Sequence, residues 1–211
     1  MATDRLPPLL AYDRARSENG RLILAGVDEA GRGCWAGPVV AAAVILPDGW
    51  CPSELNDSKK LTARRRESLC GEIIASALTW GACAVSAQEI DRINILQATL
   101  QGMRRSLLKL DRTPDLVLID GLQVPEIDWT TDSVVKGDGT SACIAAASIL
   151  AKVFRDRVMT VWDRHYPAYG FAGHKGYGVP VHRLALQSAG PCSIHRMSYK
   201  PVANWDVGQM F

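Results

Sequence analysis

The sequence predicts a mixed α/β fold, in which one β-sheet is covered by helices on both faces. Two apolar, β-rich runs near the start, residues 22–27 and 39–46, are separated by a glycine-rich turn and predict a paired hairpin. Residues 115–119 (DLVLI) form a continuous apolar run, which is typical of a strand buried on both faces. Helical segments separate the predicted strands, and this order favours a sheet between two helical layers.

The other elements follow from spacing along the chain. Residues 80–86 predict a third strand of the same sheet. The helix after the DLVLI run begins with small residues (ACIAAAS), which would let its first turns pack close to a sheet. Helical spacing predicts four segments, the second of them in two pieces: residues 62–78, 87–110, 140–166 and 181–188.

Length and composition indicate one globular domain. The 211 residues are 47% hydrophobic and 22% charged, so we expect an arm at residues 1–20 and a single domain over residues 21–211, with a helical C-terminal part from about residue 167. The longest apolar run, residues 39–46, is too short to span a membrane, and the N-terminus lacks a signal-peptide pattern. We therefore expect a cytoplasmic protein with no membrane contact, and a monomer.

Charge and cysteine usage limit the classes of partner and site. The formal net charge is only +2, yet residues 136–211 carry nine Lys and Arg against four Asp and Glu. This asymmetry permits a polyanionic partner. The six cysteines show no C-x-x-C pair, which argues against a zinc site or a secreted disulfide framework.

Four acidic residues lie where the chain changes direction. Asp28 and Glu29 follow the first predicted strand, Asp120 ends the DLVLI strand, and Asp138 lies between two glycines before the longest helix. Taken singly, each has an ordinary explanation as a turn residue, a helix cap or a salt-bridge partner. Sites in open α/β sheets gather beyond the carboxyl ends of strands, however, and we expect Asp120 and Asp28 to meet there.

Gathered carboxylates need a cation. Two ionised groups about 4 Å apart repel by roughly 4 kcal/mol at an effective dielectric constant of about 20. Oxygen-only ligands favour Mg²⁺ or Mn²⁺ over zinc. Adjacent strand residues point to opposite faces, so Asp28 and Glu29 both face one ion only if the strand ends or bends, which Gly31 and Gly33 allow. Otherwise Glu29 contributes through a water molecule or its backbone carbonyl.

Ordered motifs over residues 21–200 resemble a known family, bacterial ribonuclease HII. The motifs are GVDEAGRGCWAGPVVAAAVIL, LNDSKKLTARRR, LIDG, KGDGTSACIAAASILAKVFRD, YPAYGFAGHKGYG and IHRMSY. The resemblance implies a ribonuclease H-like fold with a mixed five-stranded sheet flanked by helices and a small C-terminal helical part. It also implies metal-dependent cleavage of RNA strands paired with DNA, and of single ribonucleotides embedded in a DNA duplex.

The resemblance also assigns roles to residues. The family's acidic quartet falls on Asp28, Glu29, Asp120 and Asp138, which would serve as metal ligands and catalytic groups in a two-metal site giving 3′-hydroxyl and 5′-phosphate ends. Its ribonucleotide-reading element falls on Gly31, Arg32 and Gly33, where close backbone approach would reach the 2′-hydroxyl. Its tyrosine falls on Tyr177, which would stack beneath the sugar next to the junction.

For five further residues, the sequence leaves two interpretations open. Lys59, Lys60, His174 and Lys175 either contact phosphates or form a solvated face. Ser148 either reaches a phosphate or serves close helix packing. We assign structural roles to the three other histidines, residues 165, 182 and 195.

Two other functions compete with the one that the resemblance implies. A related carboxylate-metal nuclease, resolvase-like or transposase-like, would have no use for a sugar-reading loop, and a non-catalytic hybrid-binding module would tolerate loss of carboxylates. The tail VGQMF ends in an apolar pair that resembles a weak docking signal for a sliding clamp, but fraying of the chain end is the favoured interpretation. The preferred metal and the balance between long hybrids and single embedded ribonucleotides are left open by the sequence.

Overall fold

One mixed five-stranded sheet forms the centre of the protein, as the sequence predicts. The computed structural model describes residues 6–52, 54–55, 58 and 61–203. The strand order is β3-β2-β1-β4-β5. The strands are β1 (Leu24–Ala30), β2 (Val39–Ile45), β3 (Thr79–Val85), β4 (Leu116–Asp120) and β5 (Thr131–Val134).

Strand direction changes at the centre of the sheet. β1 pairs antiparallel with β2, which pairs antiparallel with β3, so the predicted hairpin is confirmed. β1 pairs parallel with β4, and β4 pairs parallel with β5. The carboxyl ends of β1 and β4 therefore lie side by side at one edge of the sheet.

Helices cover both faces of the sheet. α5, supported by α2, packs on one face of β1 and β2, while α4 packs on the other face of β2 and β3. Thr62 caps the start of α2, because its hydroxyl accepts a hydrogen bond from Arg65 N–H. The helices are α1 (Pro8–Arg16), α2 (Ala63–Ser76), α3 (Ala87–Ile93), α4 (Ile95–Leu107), α5 (Ala142–His165), α6 (Phe171–His174), α7 (Pro180–Ala189) and α8 (Lys200–Ala203).

The small residues at the start of α5 bring this helix against β1. A Cβ atom added at Gly26 would lie 2.1 Å from the carbonyl carbon of Cys143, so only glycine fits at this crossing. α1 also meets the start of α5, where the Asp13 carboxylate accepts a hydrogen bond of 2.9 Å from Cys143 N–H. These contacts fix α5 behind the carboxyl ends of β1 and β4.

Two features of the sheet differ from the prediction. The first strand was expected to end at Val27, but β1 runs through Asp28 and Glu29 to Ala30, because Ala41 and Ala42 on β2 continue the pairing. Side chains alternate along a strand, so the two acids point to opposite faces, and this favours the alternative in which Glu29 contributes through a water molecule or its backbone carbonyl. The resemblance implies a fifth strand, but its position, β5 at Thr131–Val134, was not predicted.

The ends of α5 and α7 enclose a second, smaller core in the C-terminal part. Its buried members come from the segment after β1, from α5 and from the loops and short helices that follow: Ala36, Met159, Tyr169, Phe171, Leu186 and Ile194. All six cysteines are free, and three of them are buried. In the described part of the chain, every helix is too short or too polar to cross a membrane.

Candidate active site

Asp28 and Asp120 occupy matching places on neighbouring parallel strands. Val27 pairs with Ile119, so each acid is the next residue on its strand. Asp28 shares its strand face with Gly26, which contacts α5, and Asp120 shares its face with Leu118, which packs in the cluster that includes the start of α5. Both carboxylates therefore face α5.

Asp138 is brought to the same edge by a tight turn before α5. Residues Gly137–Gly139 form a single 3₁₀ turn, in which Asp138 is buried with 7% of its surface exposed. Gly137 N–H donates a 2.6 Å hydrogen bond to Asp120 Oδ1. A Cβ atom at Gly137 would lie 2.5 Å from Ile144, so the glycine lets this turn settle on α5. The turn thus links two predicted site residues directly.

Glu29 lies beside Asp28 but on the other side of the strand. Its carboxylate is 3.6 Å from Arg32 Nη1, and its side chain is 14% exposed while that of Arg32 is 48% exposed. Its backbone N–H donates a 2.6 Å hydrogen bond to Asp28 Oδ1. Glu29 is therefore coupled to Asp28 through both charge and backbone.

Burial and negative charge make this cluster costly to ionise. Burial raises the pKa of Asp28 well above its ordinary value, and the neighbouring charges of Glu29 and Asp120 raise it further. A hydrogen bond from Ser148 on α5 acts in the opposite direction. A divalent cation would relieve this repulsion, and the ligand atoms available are carboxylate oxygens, which suit a hard cation.

The clustered carboxylates favour a divalent cation electrostatically, but they do not form a ready-made coordination site. Within residues 6–52, 54–55, 58 and 61–203, no three His, Cys, Asp or Glu side chains are arranged to hold a metal ion as they stand. Asp28, Asp120 and Asp138 are nevertheless joined by strand register, a hydrogen bond and the raised pKa of Asp28. Shared coordination of an ion would require these side chains to rearrange.

The GRG loop, residues 31–33, follows β1 directly and is held from behind. Buried Arg196 donates to the carbonyl oxygens of Gly31 at 2.7 Å and of Arg32 at 2.8 Å, and also to that of Gly37 at 3.0 Å. Because a guanidinium presents several donors in one plane, this single side chain fixes several carbonyls at once. The loop is therefore a rigid backbone surface next to the acids.

The glycines of the GRG loop differ in their surroundings. Gly31 has a φ of +100°, and an added Cβ atom would lie 2.0 Å from Arg155 Nε, so packing and backbone both require glycine. A Cβ atom at Gly33 would meet nothing within 4 Å. The protein's own packing therefore leaves the space beside Gly33 open.

The Tyr177 loop, residues 174–178, lies against the GRG loop. Trp35 N–H donates a 2.8 Å hydrogen bond to the Gly176 carbonyl, and Gly178 packs on the Trp35 ring. The Tyr177 residue is 42% exposed, and Lys152 Nζ and Arg155 Cζ each lie 5.8 Å from the centre of its ring. Tyr177 thus presents part of its ring to solvent close to the GRG loop.

The other predicted contacts have partners within the protein. Ser148 hydrogen bonds to Ser58 at 2.9 Å and lies beside Asp28. His174 bonds through its two ring nitrogens to Tyr169 O and Gly176 N, and Lys175 Nζ donates to Thr160 Oγ1 and Ala172 O. Their contacts with a phosphate stay predictions. Lys59 and Lys60 lie outside the described residues.

Sequence reasoning missed the residues that support the two loops. Arg155 and Arg196 are fully buried and donate to loop carbonyls, in the case of Arg155 to those of Ala36 and Pro38. Arg196 lies in the IHRMSY motif, but the sequence alone assigns this arginine no role. Its presence in the motif is the sequence signal that could have identified it.

Comparison with known proteins gives a consistent result. A family model described as Ribonuclease HII matches residues 25–202. A ribonuclease HII from Geotalea daltonii is 53% identical over 196 residues, covering 93% of this chain and 91% of the relative.

Two solved structures share the fold. The ribonuclease H2 from Pyrococcus horikoshii matches with a TM-score of 0.73 and 26% identity, covering 85% of this chain and 95% of that one. The ribonuclease HII solved in complex with PCNA from Archaeoglobus fulgidus matches with a TM-score of 0.69 and 28% identity, over 85% and 96% of the two chains. With the family model spanning both loops and all four acids, this chain belongs to the ribonuclease HII family.

Proposed function

We propose that this protein is a metal-dependent endoribonuclease that hydrolyses the RNA strand of RNA–DNA hybrids and also cuts at single ribonucleotides embedded in duplex DNA. The observation that carries the proposal is the meeting of Asp28 and Asp120 at one sheet edge, beside the rigid backbone of the GRG loop. We assign metal binding and hydrolysis to the carboxylates, and recognition of the ribose sugar to the GRG loop.

Asp28, Asp120 and Asp138 would hold the divalent cations, with Glu29 contributing through a water molecule or its backbone carbonyl, because its side chain lies on the other face of β1. When bound, divalent cations stabilise charge on the attacked phosphate and help to activate the attacking water. The fold holds the carboxylates close together despite their mutual repulsion. The raised pKa of Asp28 reflects both its burial and that repulsion. Mg²⁺ and Mn²⁺ both suit these oxygen ligands.

The backbone of the GRG loop would recognise the 2′-hydroxyl. RNA differs from DNA by this group, which both donates and accepts hydrogen bonds. Gly33 is exposed and has open space where a side chain would be, so a sugar can approach its main chain. Tyr177 would contact the neighbouring sugar, because its partly exposed ring lies by the same loop.

Cleavage of matched duplexes tests this proposal. We expect the protein with Mg²⁺ or Mn²⁺ to cut a duplex containing one ribonucleotide and to leave its all-DNA twin intact. Gly33→Ala should lower cutting at the single ribonucleotide by about 10- to 100-fold, because a misplaced substrate loses alignment. Its free energy of unfolding should change little, since the added methyl group meets open space.

Gly71→Ala provides the matched control. Gly71 lies exposed in α2 and also has nothing within 4 Å of an added Cβ atom. This variant should cut like the wild type and be slightly more stable, by about 0.5–1 kcal/mol. Equal cutting of both duplexes by the wild type would favour a resolvase-like nuclease, and cutting of neither would favour a hybrid-binding module.

Partners beyond the nucleic acid stay predictions. The Archaeoglobus relative was solved with PCNA, and we propose that this chain has an apolar clamp-docking signal at residues 210–211, which lie outside the described residues. A cytoplasmic location and a monomeric state are likewise proposed from the sequence.

A further inference from the structure

The segment Cys192–Arg196 runs directly behind the two loops that would read the substrate. Gly37 N–H donates to the Ile194 carbonyl at 2.8 Å, and Arg196 N–H donates to the Trp35 carbonyl at 2.8 Å, so the segment pairs antiparallel with residues 35–37. The side chains of His195 and Arg196 then point toward different loops. Arg196 holds the GRG loop, while His195 points toward the Tyr177 loop through His182.

His195 begins a directional chain of hydrogen bonds that ends on the Tyr177 backbone. Cys192 N–H donates to His195 Nδ1 at 2.9 Å, a shorter contact than the 3.3 Å between this nitrogen and the Cys192 carbonyl, so we assign Nδ1 as an acceptor. His182 Nδ1 lies 2.9 Å from the Tyr177 carbonyl and must donate to it. The two Nε2 atoms are 3.0 Å apart, so in neutral rings His195 donates and His182 accepts.

These assignments leave one consistent set of tautomers. His195 carries its proton on Nε2, and His182 carries its proton on Nδ1. Both rings are buried. Burial, together with the neighbouring His182, lowers the pKa of His195 to about 4, and burial also lowers the pKa of His182. The chain therefore remains neutral and keeps its direction at physiological pH.

His174 adds a second tie to the same loop. Its ring stacks on His182, with centroids 4.5 Å apart, and its Nδ1 accepts a 3.1 Å hydrogen bond from Gly176 N–H. The backbone on both sides of the Gly176–Tyr177 peptide is thus held by imidazole nitrogens. The histidine stack therefore helps to position the Tyr177 backbone, whose carbonyl also accepts a 2.9 Å hydrogen bond from Val179 N–H.

We propose that His195 and Arg196 are positioning residues that fix the Tyr177 loop and the GRG loop relative to each other, and so set the discrimination between a ribonucleotide and a deoxyribonucleotide. This inference rests on the proposed function and deepens it. Neighbouring side chains of one dipeptide hold two loops that are more than a hundred residues apart in the chain.

Paired variants of His195 test this role. His195→Phe removes the donor to His182 but keeps a ring in place, whereas His195→Gln keeps an N–H near the position of Nε2. The measured quantity is kcat/KM on a duplex with one ribonucleotide, divided by kcat/KM on a continuous RNA–DNA hybrid. We expect His195→Phe to lower this ratio by about 10-fold or more, and His195→Gln to restore most of it.

Leu186→Ala is the control for damage to the same small core. Leu186 is buried in the cluster with Tyr169 and Phe171, and its truncation should destabilise by about 2–5 kcal/mol. The ratio should stay at the wild-type value in this variant. An equal fall in His195→Phe and Leu186→Ala, or no fall in either, would overturn the positioning role. A wild type that ignores single ribonucleotides would instead overturn the proposed function.

A spectroscopic measurement on the wild type needs no variant. In the ¹⁵N-labelled protein, imidazole correlations should show His195 protonated on Nε2 and His182 protonated on Nδ1 over neutral pH. That result would support the directed chain even if His195→Phe failed to fold. The opposite tautomer at His182 would break the link to Tyr177 and overturn the inference.

Discussion

Asp120→Asn is expected to lower the rate of RNA–DNA hybrid cleavage by about 10³-fold, while the affinity for the hybrid stays within a few-fold of the wild type. Asp120 ends β4 next to Asp28 and accepts a hydrogen bond from Gly137 N–H. The amide oxygen of asparagine can still accept that bond, so the turn before α5 is preserved. What is lost is the negative charge that a divalent cation requires.

Single-turnover cleavage with Mg²⁺ or Mn²⁺, together with hybrid binding in a chelator, measures the two quantities separately. Glu126→Gln, an exposed change of the same kind, should cleave like the wild type. A fully active Asp120→Asn protein would remove this residue from the metal site. Parallel losses of binding and cleavage would instead indicate that Asp120 supports the fold.

Asp28→Asn is expected to abolish cleavage and, in a chelator at neutral pH, to make the protein more stable. Burial and the neighbouring charges of Glu29 and Asp120 disfavour the ionised form of Asp28, so a neutral amide removes that cost and should raise Tm by several degrees. The asparagine oxygen can still accept the hydrogen bond from Glu29 N–H. The carboxylate at position 28 is thus expected to serve function at the expense of stability.

The pH dependence of this gain has a defined sign. The pKa of Asp28 is higher in the folded than in the unfolded protein, so the folded state binds the extra proton. The contribution of Asp28 to wild-type stability therefore falls as pH rises from the unfolded value, about 3.9, to the folded one, and stays reduced above it. The advantage of Asp28→Asn should be absent near pH 3 and should grow as pH rises toward the folded pKa of Asp28.

Thermal unfolding across this pH range, with and without Mn²⁺, checks the expectation. Added Mn²⁺ should stabilise the wild type more than Asp28→Asn, because ligand binding to the folded state raises stability by mass action. A variant less stable than the wild type at neutral pH in a chelator would contradict the account of Asp28.

Local patterns were sufficient for most of the fold. The alternation of apolar runs and helical segments predicted four of the strands and the long helix α5, since these depend on neighbouring residues. The end of β1 was placed too early because acids are poor strand formers, whereas pairing with Ala41 and Ala42 carries the strand through them. β5 was missed because TDSV is short and polar, and it forms by pairing with β4.

The candidate site likewise contains residues that local sequence patterns identify and residues that only tertiary contacts identify. Asp120 and Asp138 stood out because each lies beside a glycine at a change of chain direction, a local signal. His195 is predicted only to have a structural role and Arg196 appears only within a motif, since their partners, His182 and the GRG-loop carbonyls, are brought to them by the fold. Supporting residues of this kind become visible only when tertiary contacts are known.

Diffraction from crystals soaked in Mn²⁺, recorded at the manganese absorption edge, tests the central claim most directly. We predict anomalous peaks at the carboxyl ends of β1 and β4, within coordinating distance of oxygens of Asp28 and Asp120. Asp138 should complete the ligand set, with Glu29 contributing through a water molecule or its backbone carbonyl. Carboxylates that remain apart, with no manganese between β1 and β4 at saturating concentration, would contradict it.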